Sequence, residues 1–504
     1  MPKRRLCTAG PALAAALALL VPGTAQARPQ APPPLTDERG RALTLHGWNL
    51  ADKDHRGEDA LSGITERHLR DMAGRGFNLA RLAVFWDDLE PRPGRYSERY
   101  LRKIERILDW AHTYRIRVVV DAHQDVYGPG FGGHRGIPEW ATRTDGLPYR
   151  PHPDDWFAEY FEPGVQAAFE HLYGDADLRR AQARMWQVLA SRLADHPAVF
   201  GYDLINEPMG RLLPGEDLPT AARRVESTRL TPMYRRIAEA IRRVDRKHWL
   251  FIEPTPAAGE GIPTGLGRIP DPKVVYAPHF YNAAMEAGRD YDPASGWLER
   301  YEAAVVRYPR EHRLPVVVGE WGPLNSALPH MGRFYEDALA SMGRYASGWA
   351  SWEWCYGGAY CALDGNGRFQ ANKERTASPY AAAVAGEVRS ASYEAGRYRL
   401  EYRARGGRGD GGVGAAGAGR LGRAGVGPGP CRRRGGTARG AAHGARARNG
   451  AGCGDGDGPR TPDGLIQACP ASGDDVRRRD QGCARSASLT RAAVSVKWVR
   501  ISAS

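Results

Sequence analysis

Val199-Phe200-Gly201-Tyr202-Asp203-Leu204-Ile205-Asn206-Glu207-Pro208 is an apolar run of strand length that ends in a carboxylate. A second run, Leu314-Pro315-Val316-Val317-Val318-Gly319-Glu320-Trp321-Gly322, ends the same way. A carboxylate closing a buried strand is poor packing material, because its charge is costly to bury unpaired. Two of them, far apart in sequence, point to one catalytic site assembled from distant strand ends.

Working outward, apolar runs of the same length recur at 43–48, 78–84, 117–122, 199–205, 249–252, 274–277, 315–318 and 348–352. Val118-Val119-Val120 and Val316-Val317-Val318 are continuous rather than alternating, as parallel strands covered on both faces require. The intervening segments carry helical periodicity. Residues 100–112 place Leu101, Ile104, Ile107, Leu108 and Ala111 on one stripe, and 178–193, 233–244 and 331–342 repeat the pattern. Eight strands with helices between them predict an α/β fold, a (β/α)8 TIM barrel spanning 41–380. An open doubly wound sheet is disfavoured, since no Gly-rich phosphate loop follows the first strand.

The ends of the 504-residue chain differ in kind from its middle. Residues 1–27 read as an export signal: Lys3, Arg4 and Arg5, then an apolar run, then Ala25-Gln26-Ala27. Residues 28–40 are a Pro-rich linker. From residue 404 onward the chain carries 18 of the 71 basic residues and 7 of the 58 acidic ones, hence +11 of the net +13. The basicity therefore belongs to the tail and argues against a folded nucleic-acid-binding face. Residues 404–460 hold 21 glycines and three large apolar residues, a composition that cannot build a core. Gly, Ala, Arg and Pro are also what a GC-rich gene yields out of frame. The strand-like segment 381–403 is thus expected to open a C-terminal β domain that a frame break near 402–408 cuts short; a genuine Gly/Arg-rich tail is the competing reading. Outside the signal and the tail only Cys355 and Cys361 remain, and in an exported protein they are expected to form a short-loop disulfide, two free thiols being the alternative.

Glu207 and Glu320 can divide the work of glycosidic hydrolysis, one as proton donor and one as nucleophile. Asn206 beside Glu207 suits a sugar hydroxyl, and Tyr281 or Arg81 is expected to hold Glu320. Other strand ends add Lys53, Asp54, His123, Asp125, His279, Trp352 and Trp354 to the same layer. Such a two-carboxylate mechanism requires no metal and no cofactor. The long connection after the third strand carries Tyr127, Phe131, Trp140, Tyr149, Trp156, Phe157, Tyr160 and Phe161, divided between a small satellite core and a substrate-facing set.

The two glutamate motifs, Leu204-Ile205-Asn206-Glu207-Pro208 and Val318-Gly319-Glu320-Trp321-Gly322, resemble glycoside hydrolase family 5. Within that family, His46-Gly47-Trp48-Asn49-Leu50-Ala51-Asp52-Lys53, Arg81-Leu82-Ala83-Val84-Phe85-Trp86, Asp121-Ala122-His123-Gln124-Asp125 and Tyr276-Ala277-Pro278-His279-Phe280-Tyr281 resemble the endoglycoceramidases, over roughly residues 40–402. The resemblance implies Glu207 as acid/base and Glu320 as nucleophile, with Arg81, His123, Asn206, His279 and Tyr281 around the reacting sugar. It implies Trp352 as the sugar platform, with Trp354 close enough to confuse the register, and Lys53 and Asp125 at glycan-contact positions. It further implies an enzyme that separates oligosaccharide from ceramide at micelles or membrane surfaces, and a β-sandwich after the barrel; the N-terminal signal implies a secreted protein, and a monomer is expected. Another family 5 glycosidase, acting on glucosylceramide, steryl glucosides or polysaccharides, and an inactive glycolipid-binding protein are the alternatives.

Overall fold

Eight parallel strands form a closed ring: β1 (Leu45–Leu50), β2 (Leu79–Phe85), β3 (Arg117–His123), β4 (Val199–Asp203), β5 (Trp249–Ile252), β6 (Val274–Tyr276), β7 (Val317–Val318) and β8 (Gly348–Ser351). Neighbours run β6-β5-β4-β3-β2-β1-β8-β7. The ring closes between β6 and β7, where Tyr276 bridges Val316 and its N–H donates to the Pro315 carbonyl at 3.0 Å. This computed structural model describes residues 31–153, 155–394, 397–404 and 414–416. The export signal, the first part of the linker, the tail cysteines and nearly all of the Gly-rich tail lie outside the described residues.

Alternation along each strand sorts the side chains. Leu79, Val119, Phe251, Val275, Val317 and Ala350 form one apolar cluster. Ala80, Leu82, Val118, Val120, Leu250 and Val318, one position away, join the larger cluster that packs against helices such as Glu98–Thr113 and Ala176–Leu193. On the inward register of β2, β3 and β5, the positions that follow the apolar layer are Arg81, Asp121 and Glu253, all buried. The barrel therefore changes from apolar to charged within one step toward its C-terminal mouth. Gly201 keeps this interior passable, because a Cβ there would lie 2.6 Å from the Phe251 ring.

Two expectations change at the first strand. The predicted 43–48 run is split: Ala42–Leu43 pairs antiparallel with β9 (Tyr380–Val384), and the barrel strand starts only at Leu45. The break follows from Thr44, whose N–H donates to the Ala382 carbonyl and so belongs to the outer sheet. Residues 31–40 are not a free linker. Leu35 is fully buried in the apolar cluster of the barrel interior, and its N–H donates to Ser347 Oγ at 2.8 Å. Beyond β9, the strands β10 (Gly386–Glu394) and β11 (Arg397–Ala404) form a two-stranded antiparallel ribbon, and the short strand Gly414–Ala416 pairs with β9.

Candidate active site

Arg81, 2% exposed, is the hub. Its Nε donates to Asp203 Oδ2 at 2.9 Å, and one terminal nitrogen donates to Asn49 Oδ1 at 3.0 Å and Glu320 Oε1 at 2.6 Å. The other reaches Asn206 Oδ1, Glu253 Oε1 and Asp121 Oδ1 at 2.9, 2.8 and 3.0 Å. A planar guanidinium suits this task because its donors leave in fixed directions. Burial and Glu253 drive Asp203 well above the usual carboxylate range despite Arg81, while burial of Glu253 is outweighed by His279 and Arg81, which hold it low.

Glu320 accepts on both oxygens, from Arg81 and from the Tyr281 hydroxyl at 3.1 Å. Glu207 is 7% exposed and its pKa is raised, by burial first and by the Glu320 and Glu253 charges, against a lowering hydrogen bond from His279 Nδ1 at 2.8 Å. His279 would be depressed by burial alone, but Glu253, Glu320 and Glu207 hold it well above its ordinary value. Its Nδ1 bonds Glu207, while its Nε2 lies 3.3 Å from Glu253 Oε1, in ion-pair range without a hydrogen bond of its own among the described residues. A carboxylate oxygen of Glu207 and one of Glu320 lie within 4.8 Å of each other. That closeness matches a retaining pair, since inverting enzymes need a wider gap to admit water.

Glu207 adopts a left-handed φ of 41°, a conformation that non-glycine residues hold only under constraint. Gln124 Nε2 donates to the Asn206 and Glu207 carbonyls at 2.8 and 3.0 Å, and the Glu207 N–H donates to Glu253 Oε2 at 2.7 Å. Glu253 thus holds the Glu207 backbone with one oxygen and Arg81 with the other.

A second wall stands beside this centre. His123 Nδ1 lies 2.7 Å from Asp121 Oδ2, and its ring stacks on Trp352 at 5.5 Å between centroids. Burial would lower the His123 pKa, but Asp121 and Asp125 push it up to about 9. Lys53 Nζ pairs with Asp125 Oδ2 at 2.8 Å and sits 4.5 Å over the Trp352 ring. Glu353, next to Trp352, is pushed up to about 7 by burial, with Lys53 opposing.

Twelve binding or catalytic residues come from the sequence, and the fold brings ten together: Glu207, Glu320, Lys53, Arg81, His123, Asp125, Asn206, His279, Tyr281 and Trp352. Asp54 is exposed and stands outside the cluster. The chain turns away after Asp52, whose carboxylate is engaged by the Gly63 N–H and His55 at 2.8 Å each. Trp354 is a core residue, 2% exposed, packed edge-on to Trp48 and Phe77 at 5.6 and 5.7 Å. Cys355 and Cys361 are joined as a disulfide. The sequence reading gave no role to Asp203 and Glu253. Glu253 closes the apolar run Trp249-Leu250-Phe251-Ile252, the same signal that singled out the catalytic pair.

The family model described as cellulase (glycosyl hydrolase family 5) matches residues 36–358. The chain belongs to glycoside hydrolase family 5. Among family 5 relatives, it is 31% identical over 249 residues to an endoglycoceramidase of Cyanea nozakii, covering 44% of this chain and 49% of that one. Endoglycoceramidase I of Rhodococcus hoagii is 28% identical over 259 residues, covering 49% and 51%. The chain thus spans about half the length of the curated relatives it matches. Endo-glycoceramidase II from Rhodococcus sp., solved as a ganglioside GM3 complex, superimposes with a TM-score of 0.65 at 30% identity, over 72% of this chain and 84% of that one.

Proposed function

We propose that the protein is a retaining endo-glycosidase that hydrolyses the bond between oligosaccharide and ceramide in glycosphingolipids. The observation that carries this reading is the Glu207–Glu320 pair, with carboxylate oxygens within 4.8 Å of each other, beside a wall of Trp352, Lys53, Asp125 and His123 that offers a sugar platform and hydroxyl partners. Met209, two residues beyond Glu207, packs with Phe161, Gly210, Leu212, Leu218 and Val225 around a void of about 10 Å³. The leaving group departs on the side of the general acid, and we read this apolar patch as belonging to the aglycone side. The Rhodococcus enzyme bound to GM3 supports the same substrate class.

In this reading Glu320 attacks the anomeric carbon while Glu207 gives its proton to the departing ceramide oxygen, so the carbon–oxygen bond breaks as the glycosyl ester forms. The raised pKa of Glu207, caused first by its burial, favours the protonated form that a general acid needs. A water then enters, Glu207 takes its proton, and the hydroxide oxygen displaces Glu320, releasing the glycan with its configuration retained. Asn206 and Tyr281 are held to meet the sugar ring, and the Arg81 hub fixes Glu320. The N-terminal charged-then-apolar segment and the paired Cys355 and Cys361 support an exported protein, which in this reading meets its substrates at micelles or membrane surfaces as a monomer. No described helix is long and apolar enough to cross a membrane.

The test is product mass spectrometry on glucosyl-, lactosyl-, galactosyl- and ganglioside-type ceramides. Intact oligosaccharide plus ceramide is the expected result; activity confined to soluble polysaccharide rejects the reading. Glu207→Gln should lose roughly 10²–10⁴-fold on ceramide substrates, yet keep the first step on a dinitrophenyl glycoside, whose leaving group needs no proton. Glu320→Gln should fail on both.

A further inference from the structure

The loop after β8 is held with unusual care. Cys355 and Cys361 close it as a disulfide. Lys373, 1% exposed, forms no ion pair among the described residues, feels Glu353 only through its charge, and donates its ammonium to the Tyr360 and Cys361 carbonyls at 2.6 and 3.0 Å. Gln370 Nε2 adds bonds to the Gly358 and Cys361 carbonyls, both at 2.7 Å. Burying a lysine against neutral carbonyls is expensive, and depresses it to about 7. Two tyrosine hydroxyls of the loop donate outward, Tyr356 to Asp71 Oδ2 at 3.2 Å and Tyr360 to Glu286 Oε2.

Glu286 ends the short helix Ala283–Glu286, which follows Tyr281 directly, the residue that bonds the nucleophile. Glu286 lies five positions beyond Tyr281, whose hydroxyl bonds Glu320, and the charges of Glu207 and Glu320 both act on Glu286 and on Tyr360, so the pair borders the catalytic cluster. Glu286 is half-buried, and its Oε1 accepts nothing from the described residues. A carboxylate fixed by one oxygen, with the other free at the border of a sugar site, is set to accept a hydrogen bond from something that is not protein.

We propose that Glu286 is a specificity-determining residue that accepts a hydrogen bond from a substrate hydroxyl or amide N–H, with Tyr360 and Lys373 as its positioning residues. The inference rests on the glycosidase reading. The shared chemistry is a neutral donor, and it has two sources: hydroxyls of the glycan, or the hydroxyl and amide of the sphingoid head. Glu286→Gln keeps the size and the bond from Tyr360 but weakens the acceptor. Glu286→Ala removes it.

The experiment measures kcat and KM of wild type, Glu286→Gln, Glu286→Ala, Tyr360→Phe and Lys373→Met on lactosylceramide and on an aryl lactoside that has the same glycan and no ceramide. The expected result is a rise in KM of about tenfold or more for Glu286→Ala, as for loss of a hydrogen bond to a charged group, with kcat nearly kept, a smaller rise for Glu286→Gln, and an unchanged melting temperature. Loss on both substrates assigns the donor to the glycan; loss on lactosylceramide alone assigns it to the ceramide head. Tyr360→Phe should raise KM in the same direction and add little on top of Glu286→Ala, because the tyrosine acts through the carboxylate. KM values of Glu286→Ala within twofold of wild type on both substrates overturn the proposal, as does a fall in kcat with KM unchanged. A wild type silent on lactosylceramide but active on the aryl lactoside rejects the ceramide reading alone, and Glu286 is then judged on the aryl substrate.

Discussion

At the residue scale the site is governed by two buried cations with different duties. Arg81 binds four carboxylates, Asp121, Asp203, Glu253 and Glu320, within 3.0 Å. Removing it leaves buried acids without a counter-charge, so Arg81→Met should lower unfolding free energy by about 3–5 kcal/mol, read from the urea midpoint at constant slope. Arg81→Lys should rescue little, since an ammonium cannot reach six acceptors from one plane. A midpoint near wild type for either variant contradicts the hub. His279 tunes rather than anchors. Its hydrogen bond and charge lower Glu207, against burial, which raises it. In His279→Gln that pull is gone and Glu207 rises further. The group that must be protonated for catalysis then keeps its proton to higher pH, so the basic limb of kcat/KM should move upward. A limb that stays put or moves down would show that His279 does not act through Glu207.

Among the elements, the 3₁₀ helix Trp156–Phe161 divides its aromatic residues. Tyr160 is fully buried, whereas Trp156 is 43% exposed and Phe161 belongs to the apolar patch near Met209. Polar replacements of Trp156, Phe157 or Phe161 should weaken kcat/KM on ceramide substrates about tenfold or more, as expected for an apolar side chain denied burial, while sparing aryl glycosides. Equal losses on both would remove these residues from the lipid side. The elements also show what the sequence could disclose. All eight barrel strands were legible as apolar runs, because a strand buried on both faces has no polar register to confuse it. Glu207 and Glu320 were legible because each breaks such a run at its end, and Glu253 carried the same mark unread. Asp54 was misplaced because proximity to Lys53 in sequence says nothing once the chain leaves the strand. Trp354 was misplaced because alternation fails beyond β8. Glu286 ends a four-residue helix with no flanking apolar run, and its partner Tyr360 is 74 positions away, so only the fold could join them.

For the whole molecule, the link between the barrel and its C-terminal strands is aromatic and titratable. His46 of β1 stacks on Trp349 at 4.5 Å and packs at a tilt against Tyr380 of β9 at 4.0 Å, and Tyr380 donates to the Gly76 carbonyl at 2.9 Å. Burial lowers His46 to about 3. Below the unfolded histidine value, near 6.5, the unfolded chain takes a proton that the native state refuses. Stability from this group is therefore full above that pH and falls as pH drops, by up to about 1.4 kcal/mol per pH unit for one proton. His46→Phe should flatten the pH dependence of unfolding free energy between pH 6.5 and 4.5 by one proton; an unaltered slope would exclude His46 as its source. The ribbon of β10 and β11 beyond this junction leaves Val388 and Tyr393 42% and 40% exposed, apolar surface of the kind a larger β domain covers.

The position of His279 has one more consequence. Its Nδ1 lies 2.8 Å from Glu207 and 3.8 Å from Glu320. In the mechanism proposed above, Glu320 gives up its negative charge to a covalent bond as the glycosyl ester forms, and Glu207 acquires one by losing its proton. The total charge of the pocket is the same before and after; only its address changes, by less than 5 Å. A single imidazolium between the two addresses serves both without moving, so the protein has no internal rearrangement to make as the sugar passes onto the enzyme. In electrical terms the site is a two-way switch with a fixed common terminal.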